Sequence, residues 1–354
     1  MKQALRLARK GKGFVSPNPL VGAVLVKDGR IISTGFHRRY GQAHAEVLAI
    51  ESATEDVRNA VLYCNLEPCC HTDKQTPPCA QRLVQEGIKK VVIAGLDPNP
   101  QVNGKGVALL QKAGIEVQTG VLAEENRELN RFYFKYTKTH QPYVTLKIAQ
   151  TIDGKISRER GKQTWITSVE SRKMVHRLRA EYDAVLVGGN TVRIDDPELT
   201  RHDEKGRNPI RIIMDGKLRL KPEYKVFRSA YRERVMVIAE KSRDNKSKVK
   251  KMDLTKCKFI LLPADQQGKI KISRILEALA REKITSVLVE GGQQIFSQFL
   301  ETGWADELKF IIAPQIWGNG IPAFDSGTFG SIQNWRLHSK KNIDRDLVLV
   351  YRRT

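Results

Sequence analysis

The segment from His44 to Cys79 restricts the fold more than any other, because it carries His44-Ala45-Glu46, Glu67-Pro68-Cys69-Cys70-His71 and Thr76-Pro77-Pro78-Cys79. One imidazole and two thiolates are three of the four ligands that a tetrahedral zinc ion takes, and a site with three protein ligands keeps its fourth position for water. Side chains this far apart meet at one ion only if the chain folds back on itself, and the local patterns indicate how. Residues 43–53 have helical spacing with His44 and Glu46 in the first turn, residues 60–65 read as a strand ending at the Pro-Cys loop, and a second helix starts near Cys79. Both ligand segments therefore fall at helix starts, where the positive end of the macrodipole favours thiolate over thiol. Glu46, two residues from His44, points to another side of its helix, so it need not bind metal and is free to move protons.

Three readings of these residues compete. His44, Cys69 and Cys79 can form an open catalytic zinc site with Glu46 as proton shuttle, the arrangement that hydrolytic deamination of an amino-substituted heterocycle requires. His-x-Glu followed by Pro-Cys is the pattern of zinc deaminases, although there the second cysteine usually follows the first by three residues, and Cys79 follows Cys69 by ten. A closed structural site of His44, Cys69, Cys70 and Cys79 is the second reading, against which stands the poor fit of adjacent cysteines to one ion. Ordinary buried histidine and cysteine in a reduced protein is the third, and it leaves the clustering unexplained.

A chain of 354 residues exceeds what one hydrophobic core usually serves, which implies two domains. The five cysteines, Cys64, Cys69, Cys70, Cys79 and Cys257, are odd in number and crowded at one place, which fits a metal site in a reducing compartment better than a disulfide framework. No run has the apolar length of a signal core or a membrane span, so a soluble, cytoplasmic protein is expected. The net charge of +22 is compatible with nucleic acid, a membrane surface or phosphorylated substrates. The densest basic run, residues 241–251, lacks aromatics and reads as a solvated surface helix or loop.

Along the chain, a short basic amphipathic helix precedes Ser16-Pro17-Asn18-Pro19, and residues 20–26 and 30–34 form a hairpin closed by Asp28-Gly29. Strands at 91–94 and 115–119 alternate with a helix at 106–113, which argues a layered α/β domain. Residues 123–138 read as one linking helix, with a boundary at residues 139–142. A second α/β series follows, with strands at 143–149, 184–188, 210–214, 235–239, 286–290, 307–313 and 347–352 and helices at 168–180, 272–281 and 293–300. Glu290-Gly291-Gly292 and Gly188-Gly189-Asn190-Thr191 both join a strand to a helix, where backbone amides can meet a phosphate. Taken alone, each reads first as a tight strand-to-helix turn and only second as a phosphate site, and Asp195-Asp196-Pro197 reads as a turn.

Together the motifs resemble the bifunctional deaminase/reductase family of riboflavin biosynthesis over nearly the whole chain. Pro17-Asn18-Pro19-Leu20-Val21-Gly22, His44-Ala45-Glu46, the Cys69 to Cys79 loop and Asp97-Pro98-Asn99-Pro100 resemble its deaminase half. Thr151-Ile152-Asp153-Gly154, Trp165-Ile166-Thr167-Ser168, Thr191 with Asp195-Asp196-Pro197-Glu198-Leu199-Thr200, and Val289-Glu290-Gly291-Gly292 resemble its reductase half. The resemblance implies an α/β chain with a cytidine-deaminase-like zinc domain at residues 1–141 and a dihydrofolate-reductase-like domain at residues 142–354.

It also implies site residues. His44, Cys69 and Cys79 match the zinc ligands, Glu46 the proton shuttle, and Asn18, His37 and His71 the groups facing an aminopyrimidine. The loop between the zinc cysteines is one residue longer than usual, so either Lys74 or Gln75 takes the place of a substrate-facing lysine. Ala149, Trp165, Thr191, Asp195, Gly216, Gly292, Gln293, Gln294, Ile295, Phe296, Ser297 and Gln298 match NADPH-binding positions. Gln163, Arg179, Leu199 and Glu290 match substrate positions, with Arg179 as a fork for the phosphate. Where the family has an arginine shortly after Leu-Thr, this chain offers Arg201 or His202.

The implied chemistry is hydrolytic deamination of a diaminopyrimidinone ribosylamine phosphate, with Glu46 protonating the leaving amine. Ring opening of the ribosyl unit follows, with Asp195 or Glu290 handling the proton and NADPH reducing the first ribosyl carbon. The expected partner is a phosphorylated pyrimidine in a homo-oligomeric enzyme, with no membrane and no nucleic acid. A nucleic-acid-editing deaminase and a non-enzymatic zinc module binding RNA use the same ligands. The first leaves the second half of the chain without a purpose, and the second leaves Glu46 without one.

Overall fold

Fully buried, Val- and Ile-rich runs become strands only where helices cover them, and the chain meets this need twice. The structure, a computed structural model, describes all residues except 72–77, 203–205, 229–233, 252–256 and 326–333. The chain divides into two compact units, Met1–Gln141 and Pro142–Thr354.

In the first unit, α1 (Lys2–Ala8) precedes the hairpin of β1 (Gly22–Lys27) and β2 (Arg30–Phe36), and α2 (Ala45–Glu51) follows. Next come β3 (Val61–Cys64), α3 (Cys79–Gln85), β4 (Lys90–Ile93), α4 (Lys105–Lys112), β5 (Glu116–Gln118), α5 (Ala123–Leu129) and α6 (Arg131–Thr139). The hairpin turns through Asp28 and Gly29 at φ +48° and +75°, the left-handed pair that a two-residue turn requires. The sheet order is β2-β1-β3-β4-β5, antiparallel at β2-β1 and β1-β3 and parallel from β3 to β5. A Cβ added at Gly35 of β2 comes within 2.2 Å of Ala45 O, so this glycine lets α2 lie directly on the sheet. That contact fixes where His44, the residue capping α2, enters the site.

The linking segment is two helices rather than the single one its periodicity predicts. It breaks at Asn130, whose side chain accepts Leu20 N–H at 2.7 Å and donates to Leu20 O at 3.0 Å and Asn126 Oδ1 at 3.0 Å. Asn126 also receives the buried Asn65 amide at 2.8 Å, so a network of three asparagines anchors the Pro17-Asn18-Pro19 loop to the linker.

The second unit opens with β6 (Tyr143–Thr151), β7 (Lys155–Ser157), α7 (Val169–Glu181), β8 (Ala184–Gly188), α8 (Gly189–Asp195), β9 (Ile210–Met214) and α9 (Lys225–Arg228). It continues with β10 (Val235–Glu240), α10 (Arg243–Lys251), β11 (Cys257–Leu262), α11 (Ile272–Arg281), β12 (Ser286–Val289) and α12 (Gln293–Glu301). The chain closes with β13 (Glu307–Ala313), β14 (Ile321–Pro322), β15 (Trp335–Ile343) and β16 (Asp346–Arg353). Its main sheet is ordered β11-β10-β9-β8-β12-β6-β13-β16-β15, parallel up to β13 and antiparallel beyond. On α11, Ile272, Ile275, Leu276 and Leu279 recur at helical spacing and join the core under β12 and β6, while Ser168 caps α7 by accepting Ser171 N–H at 3.2 Å. Parallel strands β8, β12 and β6 send their carboxyl ends to one side, where open α/β sheets hold ligands.

Candidate active sites

In the first unit, the starts of α2 and α3 bring His44 Nδ1 to 3.2 Å from Cys79 Sγ and 3.5 Å from Cys69 Sγ. A zinc ion with Zn–N and Zn–S bonds of ordinary length holds tetrahedral ligand atoms roughly 3.6 Å apart, so the donor set fits the ion. The three ligand atoms lie within 4.8 Å of one another, and this is the one group of three or more potential metal ligands found among the described residues. Hydrogen bonding from Cys79, and then from His44, holds the Cys69 thiol down to about 3 against its burial, so it is a thiolate, the form that binds metal. Cys79 N–H donates to Cys69 Sγ at 3.3 Å, while Cys70 turns its thiol toward Gln101 O at 3.8 Å, away from the cluster.

Glu46 is 3% exposed beside this cluster, and its Oε2 has no hydrogen-bond partner. Burial pushes its carboxyl above the usual range, opposed by the His44 charge. His37 donates from Nδ1 to Ala43 O at 3.1 Å, which leaves Nε2 to accept the Asn18 amide at 3.1 Å. Its ring lies 5.5 Å from that of His44, so Asn18 and His37 border the metal ligands, and half-buried His71 follows on the cysteine loop. Lys74 and Gln75 lie outside the described residues.

Sequence reasoning gave Glu67 no role, yet it organises this loop. Its buried carboxylate accepts Asp97 N–H at 3.1 Å, Gly104 N–H at 3.0 Å and Val107 N–H at 3.0 Å, tying the Pro-Cys loop to the start of α4. Gly106 is forced by the same packing, since a Cβ there comes within 2.2 Å of Pro68 O. A glutamate directly before Pro-Cys was the available signal.

The second unit holds a cavity of about 1380 Å³ at the carboxyl ends of its parallel strands. Ordinary ligand pockets measure roughly 300–1,000 Å³, so there is room for a dinucleotide and a second ligand. Ala149, Trp165, Thr191, Asp195 and Gly216 line it, as do Gly292, Gln293, Gln294, Ile295 and Phe296 from the start of α12. Ser297 and Gln298, further along α12, do not; Ser297 is buried and its Oγ accepts Asp325 N–H at 2.9 Å. Gly292, at φ +73°, takes a conformation that suits glycine, and a Cβ on Gly291 meets Thr191 Oγ1 at 3.0 Å, so the two glycine turns abut at the cavity. This glycine-lined cradle fits a nicotinamide dinucleotide. Trp165 is 68% exposed at the cavity wall, with the Arg172 guanidinium 4.8 Å over its ring.

Gln163, Arg179, Leu199, His202 and Glu290 also line the cavity, and Arg201 does not. Arg201 spends its main chain on Asn208 and its Nη1 on His202 O at 3.1 Å. The Arg179 fork expected to meet a phosphate is engaged by the protein: Nε and Nη2 donate to the two Glu290 oxygens at 2.7 and 2.9 Å. Lys147 Nζ approaches Glu290 at 3.2 Å from the other side. Burial pushes Glu290 up, but Arg179 and then Lys147 outweigh it and hold the carboxyl to about 2. Burial raises Asp195, opposed by Lys147. Lys147 was missed, although a lone cation inside Val144-Thr145-Leu146-Lys147-Ile148 marks itself.

A zinc-ligand cluster on one α/β unit and a dinucleotide-sized cradle on another define a two-activity enzyme, a deaminase joined to a reductase. Residues 1–95 match the cytidine and deoxycytidylate deaminase zinc-binding region, and residues 142–349 match the RibD C-terminal domain. The riboflavin biosynthesis protein RibD of Aquifex aeolicus is 43% identical over 100% of this chain and 97% of its own, and that of Bacillus amyloliquefaciens is 41% identical over 92% and 87%. The crystal structure of a diaminohydroxyphosphoribosylaminopyrimidine deaminase/5-amino-6-(5-phosphoribosylamino)uracil reductase from Thermotoga maritima superposes with a TM-score of 0.89, at 40% identity over 100% of this chain and 97% of that one. The chain belongs to the RibD family, the bifunctional deaminase/reductases of riboflavin biosynthesis. It works with zinc and NADPH on a phosphorylated pyrimidine. No helix among the described residues is long and apolar enough to cross a membrane.

Proposed function

We propose that residues 1–141 remove the ring amine of 2,5-diamino-6-ribosylamino-4(3H)-pyrimidinone 5′-phosphate. Residues 142–354 then reduce the product's ribosyl chain, giving 5-amino-6-ribitylamino-uracil 5′-phosphate. Both activities in the description of the Thermotoga maritima relative support this reading. The observation that carries it is the cluster of His44, Cys69 and Cys79 beside the unpartnered Oε2 of Glu46. A structural zinc site has no use for such a carboxylate.

His44, Cys69 and Cys79 hold the zinc, which when bound supplies a water acidified toward neutral pH. Glu46 would carry a proton on Oε2 from the attacking water to the leaving amine; its raised pKa suits a group that must both accept and donate. Asn18, His37 and His71 orient the ring. The His37 Nδ1 bond to Ala43 O fixes its tautomer, so the face toward Asn18 is an acceptor.

In the second unit, Thr191, Gly216 and the Gly292 to Phe296 turn hold NADPH, which when bound supplies the reducing electrons. Gln163, Leu199 and His202 contact the substrate. Asp195, whose carboxyl burial pushes up against the opposing charge of Lys147, moves the proton that opens the ribosyl ring, while Arg179 and Lys147 keep Glu290 ionised and fixed. A cytoplasmic location is supported by five free cysteines. A homo-oligomer is supported by the open outer edge of β15, where the sheet order ends among the described residues. Nucleic acid has no place in this reading.

The test is one time course. Purified zinc-loaded protein given the diaminopyrimidine phosphate and NADPH releases ammonia first and oxidises NADPH only afterwards. Oxidation that runs ahead of ammonia release overturns the order.

A further inference from the structure

Residues 96–141 lie between the two matched regions and carry none of the residues assigned to either site. Three polar side chains of this segment are nevertheless bonded toward the first site. Asn126, Asn130 and Tyr133 follow one another at steps of four and three residues, the spacing of side chains that share one helical face. Both asparagines are buried and Tyr133 is half-buried, so this face of the α5–α6 pair is turned inward.

The asparagines hold the start of β1. Asn130 takes both backbone groups of Leu20, and Asn65, steadied by Asn126, donates to Leu20 O at 2.9 Å and accepts Gly22 N–H at 2.7 Å. Between those two residues Val21 O accepts His37 N–H at 2.9 Å, and Asn18, two residues before Leu20, donates to the His37 ring. The register of residues 20–22 therefore sets Asn18 and His37 together. Tyr133 reaches the metal-ligand loop instead. Its hydroxyl donates to Asp97 Oδ1 at 2.8 Å, and Asp97 N–H donates to Glu67 Oε2, the carboxylate that holds the Pro-Cys loop. The same Asp97 oxygen accepts Asn99 N–H at 2.9 Å and Asn99 O accepts Val102 N–H at 2.8 Å, a turn that ends with buried Val102 packed against Cys69 and Cys79.

We propose that the α5–α6 pair is a working part of the deaminase site: Asn130 is a positioning residue for the ring-binding pair Asn18 and His37, and Tyr133 a positioning residue for the thiolates of Cys69 and Cys79. The inference rests on the deaminase reading above, and both residues act through others. Because the two pins hold different groups, they govern different kinetic constants. Groups that orient the ring hold ground state and transition state alike, so their displacement raises KM. A shift of the metal ligands is felt in the chemical step and lowers kcat.

The test uses the full-length enzyme, with ammonia release from the diaminopyrimidine phosphate followed in the zinc form and the visible spectrum read in the cobalt(II) form. Asn130→Ala raises KM at least about fivefold with kcat within about twofold, as loss of the bonds that fix a substrate-facing loop requires. Tyr133→Phe lowers kcat at least about fivefold with KM within about twofold, and it shifts the thiolate-to-cobalt absorption that Asn130→Ala leaves in place. In an Asp97→Ala background Tyr133→Phe adds less than about twofold, because its bond is already gone. Metal content near one ion per chain shows that the site is folded; where Asn130→Ala falls short of it, Asn126→Ala, which removes one acceptor from the same network, takes its place. Loss of metal from Tyr133→Phe makes that residue structural and overturns its assignment. Constants unmoved in metal-loaded variants overturn the proposal, and so does the same mixed change of kcat and KM in both, the mark of general destabilisation. Absence of ammonia release from the parent strikes the deaminase reading instead, and the cobalt spectra then decide the proposal: an unshifted absorption in Tyr133→Phe overturns it.

Discussion

The zinc cluster and the reductase cavity are assembled in opposite ways. The first draws His44 and Cys79 from the starts of two neighbouring helices and Cys69 from the loop between them, all within residues 44–79, and one hidden carboxylate, Glu67, holds that loop. The second collects single residues from the ends of strands and helices spread over residues 147–325, and its central pair, Arg179 and Glu290, is joined across 111 positions. A compact site is a motif, whereas a dispersed one is a topology. It follows that the first can be destroyed by one local change without touching the second, while the second is sensitive to changes in the pairs that tie its strands together.

The largest effect tests that independence. Glu46→Gln is expected to slow ammonia release by a hundredfold to ten-thousandfold, roughly the span of a general acid–base group. Reduction of the already deaminated substrate should stay within about twofold. Loss of both activities in a folded variant breaks the comparison.

The next prediction stays inside the first site. Cys69→Ser and Cys79→Ser should drop zinc content well below one ion per chain by elemental analysis, and Cys70→Ser should keep about one, since its thiol faces Gln101 O rather than the cluster. Zinc lost from Cys70→Ser and kept by Cys69→Ser reverses the ligand assignment.

The third concerns the dispersed site. Arg179→Ala leaves the buried Glu290 with Lys147 alone, and breaking a buried pair costs on the order of 3–5 kcal/mol. All four tryptophans, Trp165, Trp304, Trp317 and Trp335, belong to the second unit, so their fluorescence follows its unfolding by urea alone. Because Glu290 is held to about 2 in the fold against an ordinary 4.5, its stabilisation is present above about pH 4.5 and is lost as pH falls toward 2. The gap between parent and variant should therefore be widest near neutral pH and narrow over that window. A constant gap means that the arginine acts by packing and not through the carboxylate.

The same contrast explains what could be read before folding. Runs such as Val91-Val92-Ile93 and Val287-Leu288-Val289 announce buried strands because nearly every residue is apolar. By contrast β15 escapes notice: Trp335-Arg336-Leu337-His338-Ser339-Lys340-Lys341-Asn342-Ile343 is exposed along almost its whole length and stands as a strand only because β16 pairs with it. The break at Asn130 was hidden for a related reason, since the apolar rhythm continues through it and the bonds that engage Asn130 there run to Leu20, 110 positions away. Within the sites, His44, Glu46 and the cysteines signal by proximity. The engagement of Arg179 by Glu290 has no local trace, and a lone arginine looks like a free phosphate fork until the fold shows its partner.

The smallest expected effect concerns the charge that most suggests a polyanion partner. The run from Lys241 to Lys251 becomes α10, and its inward face is held by buried Asn245, whose amide donates to Gly216 O and Glu240 O, both at 2.8 Å. Gly216 lines the reductase cavity, so buried Asn245 ties this helix to the site. Lys248 is engaged locally, donating to Lys217 O at 3.1 Å and pairing with Asp244 at 2.8 Å, in an exposed setting where such pairs contribute little. Neutralising Lys246, Lys248, Lys250 and Lys251 together should therefore leave both activities within about twofold at low and moderate salt, as befits screened surface charge. Asn245→Ala should raise KM for NADPH instead, because it removes one of the two hydrogen bonds on Gly216 O, leaving that from Glu240 N–H at 2.9 Å, and keeps every lysine in place. A collapse of activity in the quadruple variant, with steeply salt-dependent RNA binding by the parent, would make the helix a polyanion surface and α10 a third functional region beside the two compared above.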